Sequence, residues 1–237
     1  MVQREIPLSE LFKSTPDRRL VHNILEVVTV KDYWGSLLKS RDVSYLGLIY
    51  RVPPRLWRGL SQTQRELREV DPEQLYAKQS TFHVTVKGLG YLEEKLDHVK
   101  YEKVMQKISS IIAEFKPFEI RIKGLGVFPT SVYASVEDQS SRFKAMNNRI
   151  CEELRGDVEQ SEYDGDAYVP HVTLATFNSS DVKNLFEKIS SPEMRDRDFG
   201  TCAVFEIEAV EVNMLLALGP EETQEGAFTY VRSFHLG

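Results

Sequence analysis

The spacing of apolar positions changes several times along the chain. After Thr15 and Pro16, a pair suited to opening a helix, Leu20, Val21, Ile24, Leu25 and Val28 recur at helical spacing. Trp34, Leu37 and Leu38 suggest one more turn, so residues 1–44 read as a helical extension on a main domain of residues 45–237. From Tyr45 a continuous apolar run marks a buried strand, stopped by Pro53 and Pro54. Pro54 opens a helix to about Val70 with Leu56, Leu60 and Leu67 on one face. Further strands are predicted over 82–86, 118–122, 132–136 and 171–177. Helical stripes run through Val104, Ile108, Ile111 and Ile112, and through Phe143, Met146, Ile150 and Leu154. Asn178 to Asp181 should cap a helix carrying Leu185 and Ile189. Residues 203–218 form one long strand or a bent pair, and 228–234 close the chain.

Within this pattern one unit occurs twice. His83-Val84-Thr85-Val86 is answered by His171-Val172-Thr173-Leu174, and each is followed by a helix and then by a strand opening Phe-Glu-Ile, at Phe118 and at Phe205. Two such strand–helix–strand units place equivalent strands across a pseudo-twofold axis. Side chains alternate along a strand, so His83 and Thr85 share a face, as do His171 and Thr173. Lys87 continues the first of these faces.

Two imidazoles and two hydroxyls brought together suit one kind of chemistry. Histidine changes charge near pH 6.5. In-line displacement at a phosphodiester needs a base on the entering oxygen and an acid on the departing one, on opposite sides of phosphorus. Two facing histidines provide both without a metal. Threonine hydroxyls donate to the non-bridging oxygens, where negative charge concentrates.

Composition narrows the partners. Hydrophobic residues are 41% and charged residues 28% of the chain, as in ordinary globular proteins, and the net charge of -6 disfavours a protein that coats long nucleic acid. The two cysteines lie far apart, which fits a reducing compartment and no zinc knuckle. With no apolar run near the ~20 residues needed to span a bilayer, a cytoplasmic, membrane-free monomer is the expectation.

The doubled motif resembles the two-histidine phosphoesterase superfamily, in its 2'-5' RNA ligase / RNA 2',3'-cyclic phosphodiesterase (LigT-like) branch. Phe82 to Gly90 is similar to that family's first motif, Gly126-Val127-Phe128-Pro129 to its middle segment, and Pro170 to Leu174 to its second motif. The resemblance covers about residues 44–237. It implies an α+β, LigT-like bilobal fold, with antiparallel sheets lining a central groove and helices outside. It also implies metal- and cofactor-free hydrolysis of an RNA 2',3'-cyclic phosphate to a 2'-phosphate, with 2'-5' ligation as a secondary activity. By the same resemblance His83 protonates the leaving 3'-oxygen and His171 activates water. The extension has no counterpart in the minimal family pattern, and Gly88 stands where a bulky residue is frequent, which would enlarge the pocket.

Around this core, Thr85, Thr173 and Lys87 are expected to bind phosphate, and Tyr168 and Phe128 are candidates for stacking a base. Gly88, Gly90, Gly124 and Gly126 read as two Lys-Gly-Leu-Gly turns. His22, His98 and His235 lack a motif and read as surface or packing residues. Two other readings fit the same residues: a non-catalytic RNA-end binding module, and a cyclic phosphodiesterase acting on a small nucleotide, such as a cyclic phosphate of ADP-ribose or a 2'-5' oligonucleotide.

Overall fold

In the computed structural model the described residues are 27–30, 44–91 and 98–237. The proposed extension therefore lies almost wholly outside them. Its last described part is tied down: Val28 N–H donates to the Pro129 carbonyl at 2.8 Å and Val30 N–H to the Phe177 carbonyl at 2.7 Å.

The elements follow the sequence pattern in order, but the strands expected over 82–86 and 118–122 run on to 91 and 128, and 214–217, expected within a strand, is helical. β1 (Ser44–Arg51) leads to α1 (Pro54–Val70), β2 (Leu75–Tyr76) and β3 (His83–Tyr91). α2 (His98–Ala113), β4 (Phe118–Phe128), β5 (Ser131–Glu137) and α3 (Arg142–Glu153) come next. β6 (His171–Thr176) precedes α4 (Lys183–Ile189) and α5 (Pro192–Arg195). β7 (Asp198–Val204), β8 (Glu206–Asn213), α6 (Met214–Ala217) and β9 (Phe228–His235) end the chain. α1 starts on Pro54 because the first helical turn leaves its N–H without an intrahelical acceptor in any case. The expected cap at α4 is different: Val182 precedes it and gives no side-chain bond.

The strands form one antiparallel sheet in the order β7-β4-β5-β6-β3-β1-β8-β9, with β2 added beside β6. β3 and β6 meet at its centre through one bridge, Val84 to Val172. On either side lies a lobe, β3-β1-β8-β9 and β6-β5-β4-β7. The two repeats are thus β1-α1-β3-α2-β4 and β5-α3-β6-α4-α5-β7-β8, and each gives its last strand to the other's lobe. β4, from the first repeat, pairs with β5, and β8, from the second, pairs with β1. Helices cross over too: α1 packs with α4 behind β6 and β7, and α3 packs with α2 behind β3. One apolar core, including Leu48, Leu60, Val84, Ile108, Phe143, Leu174 and Ile207, runs through both lobes.

Each central strand carries the same irregularity. Along β3, Thr85 faces Ile49 and Lys87 faces Leu48, so Val86 is an extra residue against β1. Along β6, Thr173 faces Tyr133 and Ala175 faces Val132, so Leu174 is the extra residue against β5. Both Lys-Gly-Leu-Gly segments lie inside β3 and β4 and are not turns. Two of their glycines allow rings to lie flat on the sheet. A Cβ on Gly126 would collide with the Tyr133 ring, and one on Gly88 with the Tyr45 hydroxyl. The space at Gly88 is therefore filled by Tyr45 and does not enlarge a pocket.

Candidate active site

The single bridge between β3 and β6 determines the site. Val84 and Val172, fully buried, point into the core. Residues on either side of them point the opposite way. Extending the antiparallel register by one residue sets His83 against Thr173 and Thr85 against His171, all four half-buried on the groove face. The four side chains singled out by the repeat are thus brought together at the seam of the lobes.

The two rings are held alike. His83 Nδ1 lies 2.7 Å from the Thr81 carbonyl and His171 Nδ1 lies 2.8 Å from the Val169 carbonyl. A carbonyl only accepts, so Nδ1 carries the proton and Nε2 is left as the working nitrogen. His83 Nε2 sits 3.2 Å from Thr85 Oγ1, whose hydroxyl donates to it in the neutral state. Burial pushes His83 down to about 4; the Thr81 carbonyl opposes the shift, and the nearby His171 and Arg51 reinforce it. Burial also lowers His171, against the pull of the Val169 carbonyl.

Aromatic rings back both histidines. Phe128 meets His171 edge-on at 4.8 Å between centroids and stacks on Tyr133 at 4.3 Å. Phe228, which carries no motif, meets His83 edge-on at 5.0 Å. Arg51 stands opposite His83 on β1 and pairs with Glu208 of β8 at 2.6 Å. Alternation along β1 from Ile49 is a signal for Arg51; Phe228, far from both motifs, has none.

Two expected site residues belong elsewhere. Lys87 does not continue the His83–Thr85 face, because the extra residue at Val86 turns it to the helix-covered side. Its ammonium, 1% exposed, pairs with Asp164 at 2.7 Å and donates to the Glu159 carbonyl at 2.6 Å. Burial would raise Asp164, but hydrogen bonds from Asn147, Lys87 and Ser161 outweigh it and hold the carboxyl below its usual range. Part of the acidic stretch before His171 is thereby neutralised. Tyr168 packs on the core with its hydroxyl donating to the Thr85 carbonyl at 2.8 Å, which braces β3. His235 is exposed beside Glu206, as expected of a surface residue. A separate depression lined by Asn148, Cys151, Arg155 and Asp166 contains neither motif histidine. Among the described residues, no cluster of His, Cys, Asp and Glu has the arrangement of a metal site, and no helix is long and apolar enough to cross a membrane.

A two-lobed antiparallel α+β fold of this kind defines a class, the LigT-like phosphoesterases. The chain belongs to the 2'-5' RNA ligase superfamily, whose family model matches residues 52–212. It is 25% identical over 183 residues to an RNA 2',3'-cyclic phosphodiesterase of Aquifex aeolicus, covering 73% of this chain and 89% of that protein. A Methanothermobacter thermautotrophicus protein of the same name is 23% identical over 173 residues, covering 71% and 89%. In fold it is similar to E. coli LigT complexed with 3'-AMP, with a TM-score of 0.62 at 13% identity over 82% of this chain and 98% of LigT. A structure from Thermus thermophilus gives 0.57 at 18% identity over 81% and 97%.

Proposed function

We propose that the protein is a metal-independent phosphodiesterase that opens RNA 2',3'-cyclic phosphates to 2'-phosphates. The observation that supports this most directly is the Val84–Val172 bridge, which sets two imidazoles and two threonines on one face of one sheet. In this reading the cyclic phosphate sits between the rings. His171 Nε2 takes a proton from water as its oxygen bonds to phosphorus, and His83 Nε2–H gives a proton to the departing 3'-oxygen. A protonated His83 no longer accepts from Thr85, so that hydroxyl is released to a non-bridging oxygen beside Thr173. The substrate's negative charge favours the imidazolium that the free site disfavours. Phe128 offers an apolar surface for a base beside His171. The 2'-5' ligase activity is the same displacement with an RNA 5'-hydroxyl in place of water.

The test is product analysis on an RNA ending in a 2',3'-cyclic phosphate, in excess chelator, beside a panel of ADP-ribose cyclic phosphate and 2'-5' oligonucleotides. A 2'-phosphate product is expected. Turnover that needs added zinc or magnesium, a 3'-phosphate product, or binding with no turnover would each reject the reading.

A further inference from the structure

Two buried amides occupy matching places in the repeats. Gln64 of α1 is 6% exposed and Asn147 of α3 is fully buried. Gln64 Nε2 donates to the Leu174 carbonyl at 2.7 Å, and Asn147 Nδ2 donates to the Val86 carbonyl at 2.9 Å. Leu174 and Val86 are the extra residues that follow Thr173 and Thr85. β3 and β6 share one bridge, and past it on each strand a helix amide meets a backbone carbonyl. Leu174 also receives the Ala77 N–H at 2.9 Å.

Each amide has a second grip. Gln64 also donates to the Ala77 carbonyl at 2.7 Å, on the segment leading to Thr81, whose carbonyl orients His83. Asn147 donates to Asp164 Oδ1 at 2.9 Å and accepts from Gly165 N–H at 2.9 Å. That loop leads through Tyr168 to Val169, whose carbonyl orients His171. Through its two grips each amide therefore spans the seam. Gln64 links the threonine end of the second motif to the approach of the first histidine; Asn147 links the threonine end of the first motif to the approach of the second.

We infer that Gln64 and Asn147 are paired positioning residues which couple the two His-x-Thr motifs across the seam. They touch no substrate and act by fixing the ring that each loop carbonyl orients. This rests on the reading of the groove as a phosphodiesterase site. A small displacement of an acid or base costs large factors in rate while leaving binding nearly intact.

The test uses Gln64→Met and Asn147→Leu in the full chain, with rates normalised to folded protein. Turnover of the cyclic-phosphate RNA is expected to fall about 10- to 100-fold in kcat with KM changed less than about threefold. Nitrogen-15 spectra of the histidine rings supply an independent readout in the free protein. Gln64→Met should mix the tautomers of His83, and Asn147→Leu those of His171. Should either apolar variant not fold, Gln64→Ser and Asn147→Ser, which leave room for a bridging water, carry the same comparison. Unchanged kcat per folded molecule together with wild-type ring spectra would overturn the inference and leave the amides as structural bonds only. If the wild type turns over no cyclic phosphate, the proposed function fails and the ring spectra alone decide the coupling.

Discussion

His83 and His171 differ from surface histidines in how they are held and how far their charged forms are disfavoured. Each Nδ1 is fixed by a carbonyl two residues upstream, and burial keeps both rings neutral at pH 7. Replacing either by alanine should lower kcat about 10²- to 10⁴-fold with the urea midpoint essentially retained, since general acid–base assistance has about that worth. The pH profile follows from the same shifts. kcat/KM reports the free protein, where both groups titrate below 6.5, so its maximum should lie on the acid side of that value whichever ring is the acid. The kcat profile, read with the anion bound, should lie at higher pH. A kcat/KM maximum above pH 7 would contradict these assignments. Folding is linked with a definite sign. Between about 4 and 6.5 the unfolded chain holds the proton that folded His83 refuses, so stability rises with pH through that window and is lost as pH falls through it.

Within the elements, one extra residue has large effects. His83 and Thr85 are legible because strand alternation needs no tertiary information, and their pairing with His171 and Thr173 is legible because the unit is repeated. Lys87 is misplaced by the same alternation because a bulge leaves no mark in composition, yet it moves the side chain that follows it to the other face. Gln64 and Asn147 do leave a mark in the pattern. Gln64 stands four residues from Leu60 on a face shared with Leu56, Leu67 and the buried Thr63, and Asn147 four from Phe143 on a face otherwise apolar. A polar side chain there must have a buried partner. The partner of Lys87 makes a further prediction. Lys87→Met alone leaves Asp164 facing a lost charge and should cost about 3–5 kcal/mol, while Lys87→Met with Asp164→Leu should recover part of it, the bonds from Asn147 and Ser161 being lost. Urea titration of the three proteins measures this, and equal losses in the single and double variants would show that the pair is not coupled.

At the scale of the whole molecule, the exchange of β4 and β8 is hidden from the sequence because strand order is a long-range property. The two Phe-Glu-Ile openings are visible, but nothing local says in which lobe each strand pairs. Neither lobe can complete its sheet from its own repeat, and one core serves both. Chemical unfolding should therefore be a single transition, with tryptophan fluorescence and far-ultraviolet dichroism coincident. Residues 44–128 and 129–237 made as separate chains should each lack a cooperative transition, and mixing them should restore one. An independently folding half would refute this.

The exchanged strands also bear on descent. A chain of half this length, carrying one His-x-Thr motif, would build the same groove only by embracing a copy of itself, each partner handing over its final strand. Such an assembly would be strictly symmetric and would dissolve on dilution. Joining the copies removes the dependence on concentration and frees them to diverge, so that Arg51 stands beside one ring and a stacked pair of aromatics beside the other.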